Sequence, residues 1–291
     1  MKFRETLDAL HVEDPSDYTY SLGFATLFAM EGAWPVANIQ AKRAYYIAER
    51  LDSELITGRE AAYMRAITVR RSADHVTDLL RVRHHLNTAR ACLLLDLNRT
   101  SAPPTTTTAL RFDAEDLALN VSAHMFHIFW GEAIPPELNV PPLEETENLL
   151  KRLTNSLTSG YPTENKLILQ HVERKLITNL LMAVLLRQKE APAPINPVEY
   201  QPWVRRLQEN IDRKIMETFF VRETFLVHAI LLAARCWTTE NKSERKTSSQ
   251  ELARMLAESS IADKFRSMMP FDRQRFNYLR DFVLNLPPPG Q

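Results

Sequence analysis

The chain has 291 residues, of which 45% are hydrophobic and 25% charged; its 36 basic and 36 acidic residues give a formal net charge of zero. This apolar content excludes a chain that is disordered over its whole length. The neutral total argues against a protein that coats nucleic acid, because such proteins carry a basic excess. Only 6 residues are glycine, which disfavours β-hairpins and glycine-rich phosphate loops.

The charges fall in alternating blocks along the chain. Residues 1–41 and 100–170 carry net charges of −4 and −5, whereas residues 42–99 and 171–291 carry +4 and +5. Such blocks either steer a partner toward the surface or pair with one another inside the fold. We favour the second interpretation.

The first hundred residues predict several helices. Helical spacing covers Tyr18–Met30 and residues 37–55, and a capping box at residues 57–60 opens a third pattern that continues without proline to residue 98. This third pattern predicts either one helix of about 35–40 residues or two helices stacked through a kink near Ser72, because the usual length is shorter. The apolar positions that step by three and four residues are Leu79, Val82, Leu86, Ala89 and Leu93.

The rest of the chain predicts further helices. Asp113 is the expected N-cap of a helix that ends at Trp130. A second capping box at residues 248–251 predicts another helix start. The remaining helical patterns cover residues 142–159, 163–189, 204–237 with a gap near Arg222, and 271–286. The sequence thus predicts an all-α, irregular multi-helix bundle of about 9–11 helices, with one or two very long helices and Pro-rich connections.

The 17 prolines cluster and predict the domain organisation. Dense proline stops helices and stiffens connections. We expect an N-terminal helical domain over residues 1–100, a Pro/Thr linker over 101–112, and a C-terminal helical domain over 113–291. The C-terminal domain should contain Pro-rich joints near residues 134–142 and 191–202.

Neither a membrane span nor a secretory signal is visible in the sequence. The most apolar stretches, residues 176–186 and 224–234, are far shorter than the roughly 20 residues that a bilayer requires. Cys92 and Cys236 lie in apolar helical patterns, where a free thiol behaves as a small hydrophobe. We therefore expect no membrane insertion and a reducing, cytoplasmic location.

Two histidines, His124 and His127, are the candidate metal ligands, because they share a helix face three residues apart. Neither Glu-x-x-His nor His-Glu-x-x-His occurs in the chain. We favour a partly buried helix face over a metal site, and we expect no cofactor.

Two segments are candidates for nucleic-acid binding. Arg70 and Arg71 belong to the Arg-rich helix of residues 59–97, and residues 248–268 resemble a helix-turn-helix in which Lys264 and Arg266 would face DNA. A polar stripe on the same Arg-rich helix has two interpretations: an ion-paired solvated face, which we favour, or a site in which His84 or His85 titrates. The stripe consists of Arg71, Asp74, Asp78, Arg81 and His85.

No catalytic motif is present, so we assign no catalytic residues. The leading hypothesis is a non-enzymatic helical interaction protein, an adaptor, scaffold or regulator within a larger protein assembly, with Phe219, Phe220 and Trp203 as candidate anchors for a protein partner. The alternatives are a nucleic-acid-binding regulator and a helical small-ligand-binding protein or enzyme. A homo-oligomer is left open.

Overall fold

The computed structural model describes residues 18–30, 33–50, 56–99, 106–139, 142–158, 163–190, 195–212, 221–257 and 270–287. These residues form helices and connections and contain no β-strand, which confirms the predicted all-α class. The α-helices are α1 (Tyr18–Met30), α2 (Trp34–Arg50), α3 (Ile56–Ser72), α4 (Val76–Arg99), α5 (Thr106–Trp130), α6 (Pro142–Thr158), α7 (Thr163–Glu190), α8 (Gln201–Asp212), α9 (Val221–Thr238), α10 (Lys242–Ala257) and α11 (Pro270–Leu284). Two 3₁₀ turns, Pro136–Leu138 and Pro197–Tyr200, follow two of the proline clusters.

The expected very long helices are not found among the described residues. The long pattern of residues 57–98 is broken at residues 73–75 into α3 and α4, which pack side by side. At the break, the carboxylate of Asp78 in the first turn of α4 accepts a hydrogen bond from the backbone N–H of Asp74 at 3.4 Å. The two-helix alternative, with a kink near Ser72, is the arrangement observed.

Two predicted helix starts are wrong. Helix α5 begins at Thr106, so Asp113 lies inside the helix, where its carboxylate pairs with Arg90 at 3.0 Å. Helix α10 begins at Lys242, because Asn241 Oδ1 accepts hydrogen bonds from the backbone N–H groups of Ser243 and Glu244. A polar residue next to an apolar run resembles a cap in sequence even when it serves another role.

The chain divides into two compact units. Unit 1 comprises Met1–Leu119 with Phe219–Val221, and unit 2 comprises Asn120–Thr218 with Arg222–Gln291. The last residues of the predicted Pro/Thr linker, 106–112, form the first turns of α5; residues 101–105 lie outside the described chain. The predicted domain boundaries stay a prediction.

Alanine dominates the contact of α2 with α3 in unit 1. The buried residues of α2 recur every three or four positions and, apart from Trp34, are all alanine; Ala44 and Ala48 form a cluster with Ala61 of α3. Small side chains allow two helix axes to approach closely. These two helices are therefore held by close backbone approach more than by large side chains.

Large side chains fill the core of unit 2. Helix α7 buries residues 180–186 without a gap, and α9 buries 225–227 and 229–234. The rings of Phe225 and Phe276 stack with centroids 5.3 Å apart. The hydroxyl of Tyr278 donates to the carbonyl oxygen of Leu185 at 2.8 Å, which joins α11 to α7.

None of the helices in the described ranges combines the length and the apolar character that a bilayer crossing requires.

Candidate functional site

Helix α4 has an exposed stripe of mixed apolar and polar residues on the side opposite its buried residues. Its core residues Leu79, Val82, Leu86 and Ala89 are buried. The opposite stripe is exposed and steps by four, three, four and three residues, the spacing of a coiled-coil seam. The stripe consists of Leu80, His84, Asn87, Ala91 and Leu94. Leu94 is 61% exposed although it is one of the most hydrophobic residue types.

Helix α2 reverses the usual distribution of large and small apolar residues. Its alanines are buried, whereas Ile39 is 66% and Tyr46 48% exposed. Lys42 lies between them on the same helix face, with its ammonium 5.8 Å from the centre of the Tyr46 ring. Burial of an isoleucine side chain stabilises a fold by about 1.5–3 kcal/mol. Because Ile39 is exposed, the fold does not receive this stabilisation from it.

Both exposed stripes belong to helices of unit 1. Outside the stripes, the rings of Tyr45 on α2 and His85 on α4 meet at 5.0 Å between centroids. We call the two exposed stripes together the α2–α4 face. Its members are Ile39, Lys42 and Tyr46 of α2 and Leu80, His84, Asn87, Ala91 and Leu94 of α4.

His85 is neutral under ordinary conditions. Burial, helped by the nearby charge of Arg65 and by His84, lowers the pKa of His85 from 6.5 to about 4. Its Nδ1 atom is buried and has no hydrogen-bond partner. The interpretation that His85 titrates near neutral pH is therefore wrong, since desolvation disfavours the protonated ring.

Polar contacts join α2 to α3, the helix that packs against both α2 and α4. The Arg65 guanidinium donates to the side-chain and backbone oxygens of Asn38, and the Thr68 hydroxyl donates to Asn38 Oδ1 at 3.2 Å. Burial lowers the pKa of Arg65. These contacts fix α3 against α2.

The helices that form the α2–α4 face are basic. Helix α2 has three basic residues and one acidic residue, and α4 has four and two. Arg81 pairs with Asp78 at 3.3 Å, but its side chain is mostly exposed, and an exposed pair of this kind contributes little to stability. The surface therefore attracts acidic groups.

Ion pairs inside unit 1 join the basic block of residues 42–99 to α5. Arg70 pairs with Glu115 at 3.0 Å and both side chains are buried. Arg90 contacts Asp113 and Asp116, and Arg111 pairs with Glu60 at 3.5 Å. Basic residues of the block 42–99 thus form ion pairs with acidic residues of the block 100–170 inside the fold, as we expected.

This pairing bears on the predicted nucleic-acid residues. Arg70 would have to leave a buried ion pair before it could reach a phosphate, and removing one partner of such a pair is costly. The Arg71 guanidinium lies 5.1 Å from the centre of the Trp34 ring. Lys264 and Arg266 lie outside the described residues, so the helix-turn-helix interpretation of residues 248–268 stays a prediction.

His124 and His127 are both engaged with backbone carbonyl groups. Nδ1 of His124 lies 2.8 Å from the Asn120 oxygen, and Nδ1 of His127 lies 2.8 Å from the Glu132 oxygen. Because a carbonyl only accepts, each Nδ1 carries the proton. Within the described ranges, no cluster of three or more His, Cys, Asp and Glu residues is arranged to hold a metal ion.

The predicted partner anchors are only partly described. Trp203 is half-buried on α8, and the Arg206 guanidinium lies 5.9 Å from its ring centre. Arg206 also donates to the buried carboxylate of Glu173 at 2.6 Å. Phe219 and Phe220 lie outside the described residues, so their role stays a prediction.

Sequence reasoning missed the α2–α4 face. Ile39, Tyr46, Leu80 and Leu94 look like core residues on any hydrophobicity scale. The available signal was the regular spacing of alanine in α2, which separates one side of that helix from the other. No protein-family model, curated protein or solved structure matches this chain.

Proposed function

We propose that the chain is a helical interaction protein whose α2–α4 face binds an amphipathic helix with acidic flanks from another protein. The observation that carries the proposal is the exposure of large apolar side chains on α2 and α4. Alanine lies inside α2, while Ile39, Tyr46, Leu80 and Leu94 face solvent. Single exposed apolar residues are ordinary on protein surfaces; here four of them lie in the exposed stripes of two helices of the same unit.

The spacing of the α4 stripe favours a helix as the partner. Leu80, Asn87 and Leu94 are seven residues apart, and His84 and Ala91 repeat the same interval. A facing helix with apolar residues at matching intervals would place its side chains into the gaps between them. From Leu80 to Leu94 the stripe extends about 21 Å, which corresponds to four turns.

Asn87 at the centre of the stripe would fix how a partner helix is aligned along α4. A polar residue in an apolar seam lowers affinity, but it selects the alignment in which its amide finds a hydrogen-bond partner. His84 adds a second polar position one turn away. A partner that satisfies both groups is therefore bound more tightly than one of equal hydrophobicity that does not.

Charge decides between a second copy and a different partner. Both α2 and α4 carry a net positive charge, so two copies joined through this face would bring like charges together, which disfavours association. Asp and Glu on the flanks of a facing helix would instead meet Lys42, Arg81 and Arg83. The proposal therefore commits to an acidic helix from another chain.

The test is selection from two displayed libraries of 21-residue helices that share the same apolar seam. One library has Asp and Glu at the flanking positions and the other has Lys and Arg. We expect the full chain to enrich binders from the acidic library, and the double variant Leu80→Ser/Leu94→Ser to lose them. Leu284→Ser in α11 is the matched control, because Leu284 is 71% exposed but lies in unit 2.

The proposal is overturned if neither library is enriched, or if the basic library is enriched equally. It also fails if Leu284→Ser weakens binding as much as the double variant. A dimer in sedimentation equilibrium that Leu94→Ser dissociates would replace the acidic partner with a second copy.

A further inference from the structure

An open surface cavity of about 390 Å³ lies in unit 2. One face of α8 forms one wall, the C-terminal end of α9 forms another, and the first turn of α10 lies on the third side. The volume is at the lower end of the range of about 300–1,000 Å³ that is typical of small-molecule sites. The cavity thus suits a ligand of metabolite size.

Hydrogen bonds hold the three walls in position. Nε2 of Gln201 donates to the carbonyl oxygen of Thr238 at 2.8 Å, which joins α8 to the end of α9. The Thr239 hydroxyl donates to Glu244 Oε2 at 2.7 Å, which joins the end of α9 to α10. Both of these contacts lie within unit 2.

Two arginines of different helices line this cavity without an ion-pair partner. Arg205 of α8 and Arg235 of α9 both contribute to the lining, and neither is paired with an acidic side chain anywhere in the described chain. Two guanidinium groups that line one space favour the binding of an anion there. A planar carboxylate is the group that such donors bind best, because it accepts two parallel hydrogen bonds.

The opposite charge is present in the same cavity. Glu209 and Glu244 also line it, and the C-terminal end of α9 adds the partial negative charge of the helix dipole. A phosphate dianion would be attracted by the arginines but repelled by these carboxylates. A ligand that carries one anionic and one cationic group satisfies both sets.

We propose that this cavity binds a small zwitterion of the α-amino-acid class, either a free amino acid or a short peptide. Arg205 and Arg235 bind its carboxylate, and Glu209 and Glu244 bind its ammonium group. The methyl groups of Val204 and Thr238 offer an apolar surface to the remainder of the ligand. This site is in unit 2 and is independent of the α2–α4 face.

Isothermal titration calorimetry of the full chain tests the proposal. The probes are the twenty amino acids, a set of dipeptides, N-acetylated and amidated amino acids, succinate and inorganic phosphate. We expect binding of at least one amino acid or dipeptide, and about tenfold or greater loss when either its carboxylate or its ammonium group is blocked. The comparison of amino acids with dipeptides identifies the source of the zwitterion.

Variants locate the binding site. Arg205→Gln and Arg235→Gln should each weaken the same ligand about tenfold or more, since each removes a charge-assisted hydrogen bond. Arg187→Gln, an exposed arginine of α7 outside the cavity, should leave affinity unchanged. The proposal is overturned if no amino acid or dipeptide binds, if succinate or phosphate binds at least as tightly, or if Arg187→Gln has the same effect as Arg235→Gln.

Discussion

Helix α2 of unit 1 and helices α7 and α9 of unit 2 place their large apolar side chains in opposite ways. In unit 2, α7 and α9 bury long runs of Leu, Ile, Val and Met, and aromatic rings stack between α9 and α11. In unit 1, α2 turns alanine inward and leaves Ile39 and Tyr46 outside. The difference shows that α2 exposes Ile39 and Tyr46 although alanines occupy most of its buried positions.

The two units also bury charge differently. In unit 1, Arg70 and Glu115 form an ion pair in which both side chains are buried. In unit 2, the buried Glu173 pairs with Arg206, whose side chain is 34% exposed, and Glu173 also accepts a hydrogen bond from Asn210. A pair with both members buried has no solvent to replace a lost partner.

The largest expected effect tests this contrast. Glu115→Ala should lower the free energy of unfolding by about 3–5 kcal/mol, because it leaves the Arg70 charge buried. Glu173→Ala should cost about 1–3 kcal/mol, since Arg206 reaches water. Urea denaturation of both variants measures the difference. Equal losses, or a larger loss for Glu173→Ala, would contradict the contrast.

The next prediction concerns the alanine contact. Ala44→Leu should destabilise the chain by about 1–3 kcal/mol, because Ala44 is fully buried between α2 and α3 and a larger side chain forces them apart. Ala91→Leu on the exposed stripe of α4 is the matched control and should change stability by less than about 0.5 kcal/mol. If Ala44→Leu proves as harmless as the control in thermal unfolding, the close contact does not hold these helices.

His85 gives a smaller, pH-dependent effect. Its pKa is about 4 in the folded chain and about 6.5 in an unfolded chain, so the unfolded state binds more protons between these values. The contribution of His85 is complete above pH 6.5 and declines as the pH falls toward 4, by about 1–3 kcal/mol in total. His85→Gln should flatten the stability profile in this window; an unchanged profile would show that burial does not perturb this ring.

The smallest expected effect belongs to the exposed stripes. Leu94→Ser and Ile39→Ser should each change the free energy of unfolding by less than about 0.5 kcal/mol, because both side chains are already in water. Leu181→Ser in the core of unit 2 should be strongly destabilising by comparison. A loss above 1 kcal/mol for Leu94→Ser would assign that side chain to the fold and remove it from the proposed interface.

The sequence predicted helices well where spacing and breakers agreed. The pattern of residues 163–189 differs by one residue from α7, which ends at Glu190. The prediction of helix starts failed at Asp113 and Ser248. The same polar residue types occur both at helix starts and inside helices, so residue type alone does not identify a start. Which of these roles applies depends on tertiary partners such as Arg90.

The candidate sites could not be predicted from the sequence, because they too depend on tertiary contacts. Periodicity separates the two sides of α2 but does not say that the alanine side is the inner one. That choice depends on how closely α3 approaches. The cavity in unit 2 requires Arg205 and Arg235, thirty residues apart in sequence, to meet in one space, and no local pattern encodes that meeting.

The most direct test of the central claim is the dissociation constant of a selected acidic helix, measured by fluorescence anisotropy for three forms of the chain. The account predicts that Ile39→Ser/Leu94→Ser weakens binding about tenfold or more while Leu284→Ser leaves it unchanged, and that affinity falls as salt is raised. Equal affinity for all three forms, or affinity that does not respond to salt, would contradict the claim that the α2–α4 face is the interface.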